Sequence, residues 1–124
     1  MGRAMAGDLV TEALMPDGRI QPDRLTASLG TTRMQLAAAA GLSRDAVSKS
    51  ARLNTPATQA RLRNVVEIIN RIHGWAGSPE AAFAWYRSQP IPAFGDLTAE
   101  DLVRQGRAEA VKRHLTRIAA GGFA

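Results

Sequence analysis

The side chains able to do chemistry in this sequence are few, and most of them are cationic. Arg44, Ser48, Lys49 and Arg52 follow one another at near-helical spacing behind Ser43, so they share the outer face of a short helix. Arginine and lysine there can reach guanine edges or phosphates, and a serine hydroxyl can serve any base. Arg33 opens the helix before it, placed to clamp a phosphate. Acid–base or metal chemistry has far less to work with. His73 and His114 have no ligand partner at metal-binding spacing, and His73 falls where a helix C-terminus welcomes a cation. Glu100 and Asp101 are adjacent, but a helix begins there and two acids suit its dipole. The glycines stand singly or in pairs at helix ends, so no phosphate-cradling loop exists. With no cysteine there is no disulfide framework, thiolate site or cysteine nucleophile. No convergent catalytic set emerges, and neither an enzyme nor a bound cofactor is expected.

The elements that must hold the cationic face are readable between Thr32 and Leu53, TRMQLAAAAGLSRDAVSKSARL. Thr32 can cap a first helix with Leu36 and Ala37 inward. Gly41 sits at the tight connection, where a left-handed backbone is cheapest for glycine. Ser43 can cap a second helix with Asp45 in its first turn and Val47 buried. The small residues Ala37 to Ala40 permit close approach of two steeply crossing helices. This is the pattern of a helix-turn-helix with a basic second helix, the arrangement of a major-groove reader. The same spacing also suits a plain αα-corner with a solvated face.

The charge balance agrees with a polyanion partner. The chain of 124 residues carries a net charge of +5. Between Thr31 and Arg71, the bases Arg33, Arg44, Lys49, Arg52, Arg61, Arg63 and Arg71 are opposed only by Asp45 and Glu67. Phosphate attraction of this kind is the sequence-independent part of DNA affinity. No apolar run approaches a membrane span and no signal-peptide core is present, so a cytoplasmic protein without membrane contact is expected.

Capping and periodicity predict an all-α chain. Asp8 can cap a short helix reaching Met15, and Pro16-Asp17-Gly18 is a turn signal. A helix from Pro22 stops at Gly30, with Leu25 and Leu29 toward the helix-turn-helix. From about Pro56 to His73, Leu62, Val65, Val66, Ile69 and Ile72 follow the i, i+3, i+4, i+7 rule, and Ile68 widens the face. So wide a face suggests several neighbours or a partner chain, and Val65, Ile68, Ile69 and Ile72 are the expected dimer contacts. Gly74 and Gly77 are expected to end that helix. Ser78-Pro79-Glu80 starts the next, with Phe83 and Tyr86 or Trp85 toward the core. Two prolines stiffen PIPAFGDL, Phe94 anchors it, and Thr98 with Asp101 resembles a capping box. A last helix from Arg107 to about Ala120 carries Ala108, Val111, Leu115 and Ile118 as its stripe, closed by Gly121-Gly122.

Taken in order, Trp85, Pro90, Pro92, Phe94, Gly95, Thr98, Asp101, Leu102, Gly106, Val111, Leu115, Ile118 and Gly121 resemble the toxin-binding domain of the MbcA/ParS/Xre antitoxins. The family commonly has a second glycine after Gly95 and a proline after Thr98, where this chain has Asp96 and Ala99. The resemblance extends over residues 17 to 122, because many members carry an Xre-like helix-turn-helix ahead of this domain. It implies an N-terminal extension at 1–16, a DNA-binding region at 17–55, and a toxin-binding and dimerisation domain at 56–124.

It further implies an antitoxin whose partner is a RES-domain toxin, similar to ADP-ribosyltransferases and consuming NAD. The active-site cleft of that toxin would be covered by Arg113, Arg117 and the exit Ala119, Ala120, Gly121, Gly122 and Phe123. A homodimer within a heterotetramer or larger complex would bind operator DNA and repress its own operon. A stand-alone helix-turn-helix regulator with a C-terminal dimerisation module is the alternative.

Overall fold

The computed structural model describes residues 18–48 and 50–121. The helix expected from Asp8 to Met15 therefore lies outside the described residues, as do Lys49, Gly122 and Phe123. The described chain is all-α, in chain order α1 (Pro22–Leu29), α2 (Arg33–Ala40), α3 (Arg44–Ser48), α4 (Ser50–Leu53), α5 (Pro56–Ala76), α6 (Pro79–Ser88), a 3₁₀ turn (Pro92–Phe94), α7 (Ala99–Arg104) and α8 (Ala108–Ala120).

Local chemistry sets the helix boundaries. Thr32, Thr55, Ser78 and Thr98 each accept a backbone N–H of the first turn through the side-chain oxygen, satisfying a donor that has no partner inside the helix. At Thr98 the cap is reciprocal: Asp101 N donates to its hydroxyl at 3.0 Å, and Thr98 N donates to the Asp101 carboxylate at 3.1 Å. The two departures from the family pattern fall at positions whose geometry explains the usual residues. Asp96 stands at φ +68°, a left-handed conformation that glycine takes freely and aspartate tolerates. Ala99 is the first residue of α7, where proline is at home because its missing N–H would have been unpaired anyway.

One apolar cluster runs through the whole described chain. α5 is its axis and packs against α2, α4, α6 and α8, while α2 also meets α7 and α1 meets α6. Leu25 and Leu29 of α1, Leu36 and Ala37 of α2, and Val47 of α3 are buried as their spacing predicts. The helix-turn-helix region and the C-terminal part therefore share a core. Polar clasps reinforce the junction. Tyr86 Oη donates to the Ala39 carbonyl at 2.6 Å inside the core. Arg61 Nη1 donates to Val103 O at 3.0 Å. Gln59, also buried, accepts from Ile20 N at 2.7 Å and donates to Ile20 O and Leu53 O.

Two expectations are corrected and one left open is decided. α5 does not stop at Gly74; it continues through it to Ala76, and Gly77 at φ +94° ends it alone. Packing beyond Gly74, with Ala76 against the core and Trp75 edge-on to Trp85 at 6.3 Å, outweighs the modest cost of one helical glycine. Val65, Ile68, Ile69 and Ile72 are not available to a second chain, because each is 0% exposed. The wide apolar face is covered by the chain's own helices. Of the aromatic pair on α6, Tyr86 is the fully buried one and Trp85 is half-buried.

Candidate functional site

Two surfaces of this shared core carry the candidate residues, one on the helix-turn-helix and one on α8. The helix-turn-helix forms as its punctuation predicts. Gly41 closes α2 at φ +73°, and Ser43 Oγ accepts from Ala46 N at 3.3 Å at the start of α3. The described residues of the outer segment are those of α3 and α4, and Lys49 between them lies outside the described residues. Arg44, Ser48 and Arg52 are exposed on this segment. Ser48 Oγ donates to the Arg44 carbonyl at 2.6 Å, and Arg52 lies 3.9 Å from the Asp45 carboxylate.

Arg33 has a structural engagement that its place in the sequence does not reveal. Its Nε donates to Asp23 Oδ1 at 2.8 Å, its Nη2 lies 2.7 Å from the same oxygen, and its Nη1 donates to Val47 O at 2.9 Å. It thus ties α1 and α2 to the C-terminal turn of α3. The side chain keeps 41% exposure. A phosphate would have to share a guanidinium already committed to holding the motif together.

On the other surface, α8 is held from beneath and along one edge. Val111 and Leu115 are buried in the shared core. Lys112, one helical step from Val111, is buried too, and its Nζ donates to Glu67 at 2.6 Å, Asn64 at 2.9 Å and Glu109 at 3.0 Å. The hydrogen bond from Lys112 holds the Glu109 carboxyl below the usual carboxylate range. The sequence reading left Lys112 without a role. Its position in the stripe Ala108, Val111, Lys112, Leu115 was the available signal.

The stiffened loop braces the same helix. Ile91 pairs with Leu97 in an antiparallel bridge, which brings Phe94 edge-on to His114 at 5.4 Å and under the Arg107 guanidinium at 5.5 Å. Burial, with a smaller contribution from Arg117, holds His114 below the usual imidazole range. Glu100 was read with Asp101 as a dipole partner, and only Asp101 has a capping role. The Glu100 side chain is buried, accepts from Arg87 Nε at 2.6 Å and lies 3.8 Å from Arg104, linking α7 to α6. Burial pushes the neighbouring Tyr86 hydroxyl up, with the Glu100 charge adding to the shift.

The outer face of α8 is what remains open. Arg113, Arg117, Ala119, Ala120 and Gly121 are all exposed. The structure therefore presents two arginines four residues apart, followed by a run of small residues, on a helix fixed by a buried lysine and a braced loop. The helix-turn-helix residues form a separate group on the other candidate surface. Among the described residues no group of His, Asp and Glu is arranged to hold a metal ion. No described helix is long and apolar enough to cross a membrane.

Comparison with known proteins bears on the α8 surface. No curated protein and no solved structure matches the chain. Residues 75–121, which run from the last turn of α5 to the end of α8, match the model of the antitoxin Xre/MbcA/ParS C-terminal toxin-binding domain. The C-terminal part of this chain is thus similar to the toxin-binding domain of the Xre/MbcA/ParS antitoxins.

Proposed function

We propose that this chain is the antitoxin of a type II toxin–antitoxin pair. It neutralises a RES-domain, NAD-consuming toxin by seating α8 and the residues that follow it over the toxin's active-site cleft. The observation that carries this reading is the coincidence of the toxin-binding domain with a rigidly held helix whose outer face is exposed and ends in small residues. A partner's carboxylates can meet Arg113 and Arg117, while Ala119 to Gly122 offer little bulk to a narrow cleft. Because α8 is fixed by its own packing, little ordering cost falls on the binding step. The test is co-purification with the product of the adjacent gene, followed by an NAD-consumption assay on the separated partner. The partner alone consumes NAD, the full chain stops it, and a chain lacking residues 119–124 restores most of the activity. Full inhibition at unchanged affinity by that truncated chain would refute the covering role.

The second surface supports repression of the chain's own operon. Arg44, Ser48, Lys49 and Arg52 face the major groove in this reading, and two chains read two half-sites. Replacing Arg44 by alanine is expected to relax sequence preference, at about 1–3 kcal/mol for a lost bidentate base contact. Replacing Arg33 weakens binding to every sequence, and it also lowers the melting temperature because the α1–α2–α3 tie is lost. Gel-shift titrations with operator and random duplexes, beside a melting curve, separate these two effects. Equal affinity of the unaltered chain for both duplexes would sink specific readout.

A further inference from the structure

A furrow runs between the C-terminal half of α5 and the C-terminal half of α8. One end is cationic, with Arg71 of α5 beside Arg113 and Arg117 of α8. The other end is lined by Gly74 of α5 with Leu115 and Ala119 of α8, and Asn70 sits beside it. Arg71 and Thr116 line both ends, so the two are continuous. Arg71 is preset, its Nη1 donating to Glu67 O at 3.0 Å and its Nε to Thr116 Oγ1 at 3.4 Å. The acid at the cationic end, Glu109, is engaged by Lys112, which Glu67 also neutralises. One lysine answers only one of these two carboxylates, but the three arginines still leave this end net cationic.

Two further observations point to an occupant. Asn70 Oδ1 is buried and has no hydrogen-bond partner among the described residues. A buried acceptor left in this state is destabilising, and an incoming N–H or O–H would recover that cost. Gly74 lies inside α5 in ordinary helical backbone, and a Cβ there would meet nothing within 4 Å. Neither conformation nor crowding explains a glycine at this place. The missing side chain does keep the furrow open.

We propose that this furrow seats an acidic segment of the toxin. Carboxylates lie on Arg71, Arg113 and Arg117, an apolar side chain lies over Gly74 against Leu115, and a donor reaches Asn70 Oδ1. The proposal rests on the antitoxin reading and extends the contact from α8 and its exit to the long helix α5. Charge complementarity selects the occupant, because three arginines converge and outnumber the single negative charge left by Glu67, Glu109 and Lys112 together.

The experiment compares the unaltered chain with Gly74→Leu, Arg71→Glu and Asn70→Ala, using the toxin encoded by the adjacent gene as the titrant in calorimetry. Gly74→Leu fills the furrow at a position with room for it and favours helix, so the free chain melts no lower than the original. Its affinity for the toxin falls by about tenfold or more, and that of Arg71→Glu does likewise. Asn70→Ala weakens binding by a smaller factor. Unchanged affinity in Gly74→Leu overturns the furrow and leaves the antitoxin reading standing. Failure of the unaltered chain to bind the toxin overturns both. A change in the free chain's own oligomeric state on Gly74→Leu, with toxin affinity intact, assigns the furrow to a second copy and also overturns the proposal.

Discussion

An Ile69→Ala variant is expected to lose about 2–5 kcal/mol of folding stability, and to lose it equally at every protein concentration. Ile69 is 0% exposed at the centre of α5, the helix that touches α2, α4, α6 and α8. Truncating it removes buried hydrocarbon and leaves a void that the packed side chains around it cannot fully close. A domain of this size holds only about 5–15 kcal/mol in total, so the variant gives up a large share of it. The measurement is urea denaturation at two protein concentrations a hundredfold apart. The midpoint should fall with the slope retained, and by the same amount at both concentrations. If Ile69 instead lay on a subunit seam, the unaltered chain would show a concentration-dependent midpoint that the variant loses. The same expectation extends to Val65, Ile68 and Ile72, which are equally buried.

That test also marks what periodicity can and cannot say. The apolar spacing on α5 identified the face that is buried, but it held no information on what buries it. The covering helices α6 and α8 arrive from later in the chain, so a core face and a dimer face look alike in sequence. Helix boundaries were more legible because their causes are local. Thr32, Ser43, Ser78 and Thr98 cap as read, and Gly41 takes the left-handed turn expected of it. Gly74 misled for the converse reason: its helix cost is about 1 kcal/mol, and packing from elsewhere outweighs it.

The charged residues divide in the same way. Asp101 was legible as a cap because its partner is three residues away. The pairing of Glu100 with Arg87 depends on how two helices meet, and so does the hold of Arg33 on Asp23 and Val47. Lys112 is the same case, since it finds Asn64 and Glu67 only after α8 has docked on α5. On the candidate surface, the order of Trp85, the two prolines, Phe94 and Gly121 was enough to indicate the toxin-binding domain. The proposed contribution of Asn70, Arg71 and Gly74 needed the fold, because they lie on α5, ahead of Trp85, where the family pattern begins.

A Gly41→Ala variant should show that the two surfaces stand or fall together. Alanine at φ +73° costs about 1–2 kcal/mol through the clash of its Cβ with the backbone. The new atom would also lie 2.8 Å from Arg61 Nη1 and 3.3 Å from the Cα of Arg104. The guanidinium can swing away, but only by giving up its bond to Val103 O. The Arg104 backbone has no such freedom, so the turn between α2 and α3 must withdraw from α7. With it, the Ala39 carbonyl is drawn from the Tyr86 hydroxyl, a buried hydrogen bond whose loss adds about 1–3 kcal/mol. The expected total is a destabilisation of about 2–5 kcal/mol. The readout can be placed far from the substitution. Both tryptophans of the chain, Trp75 and Trp85, lie in the toxin-binding part, so their fluorescence reports that part alone. If the shared cluster folds as one unit, the tryptophan transition and the helical circular dichroism shift together to lower denaturant. A tryptophan transition left where it was, with only part of the helical signal lost early, would mean that the helix-turn-helix unfolds independently. The chain would then carry its two candidate surfaces on separable units.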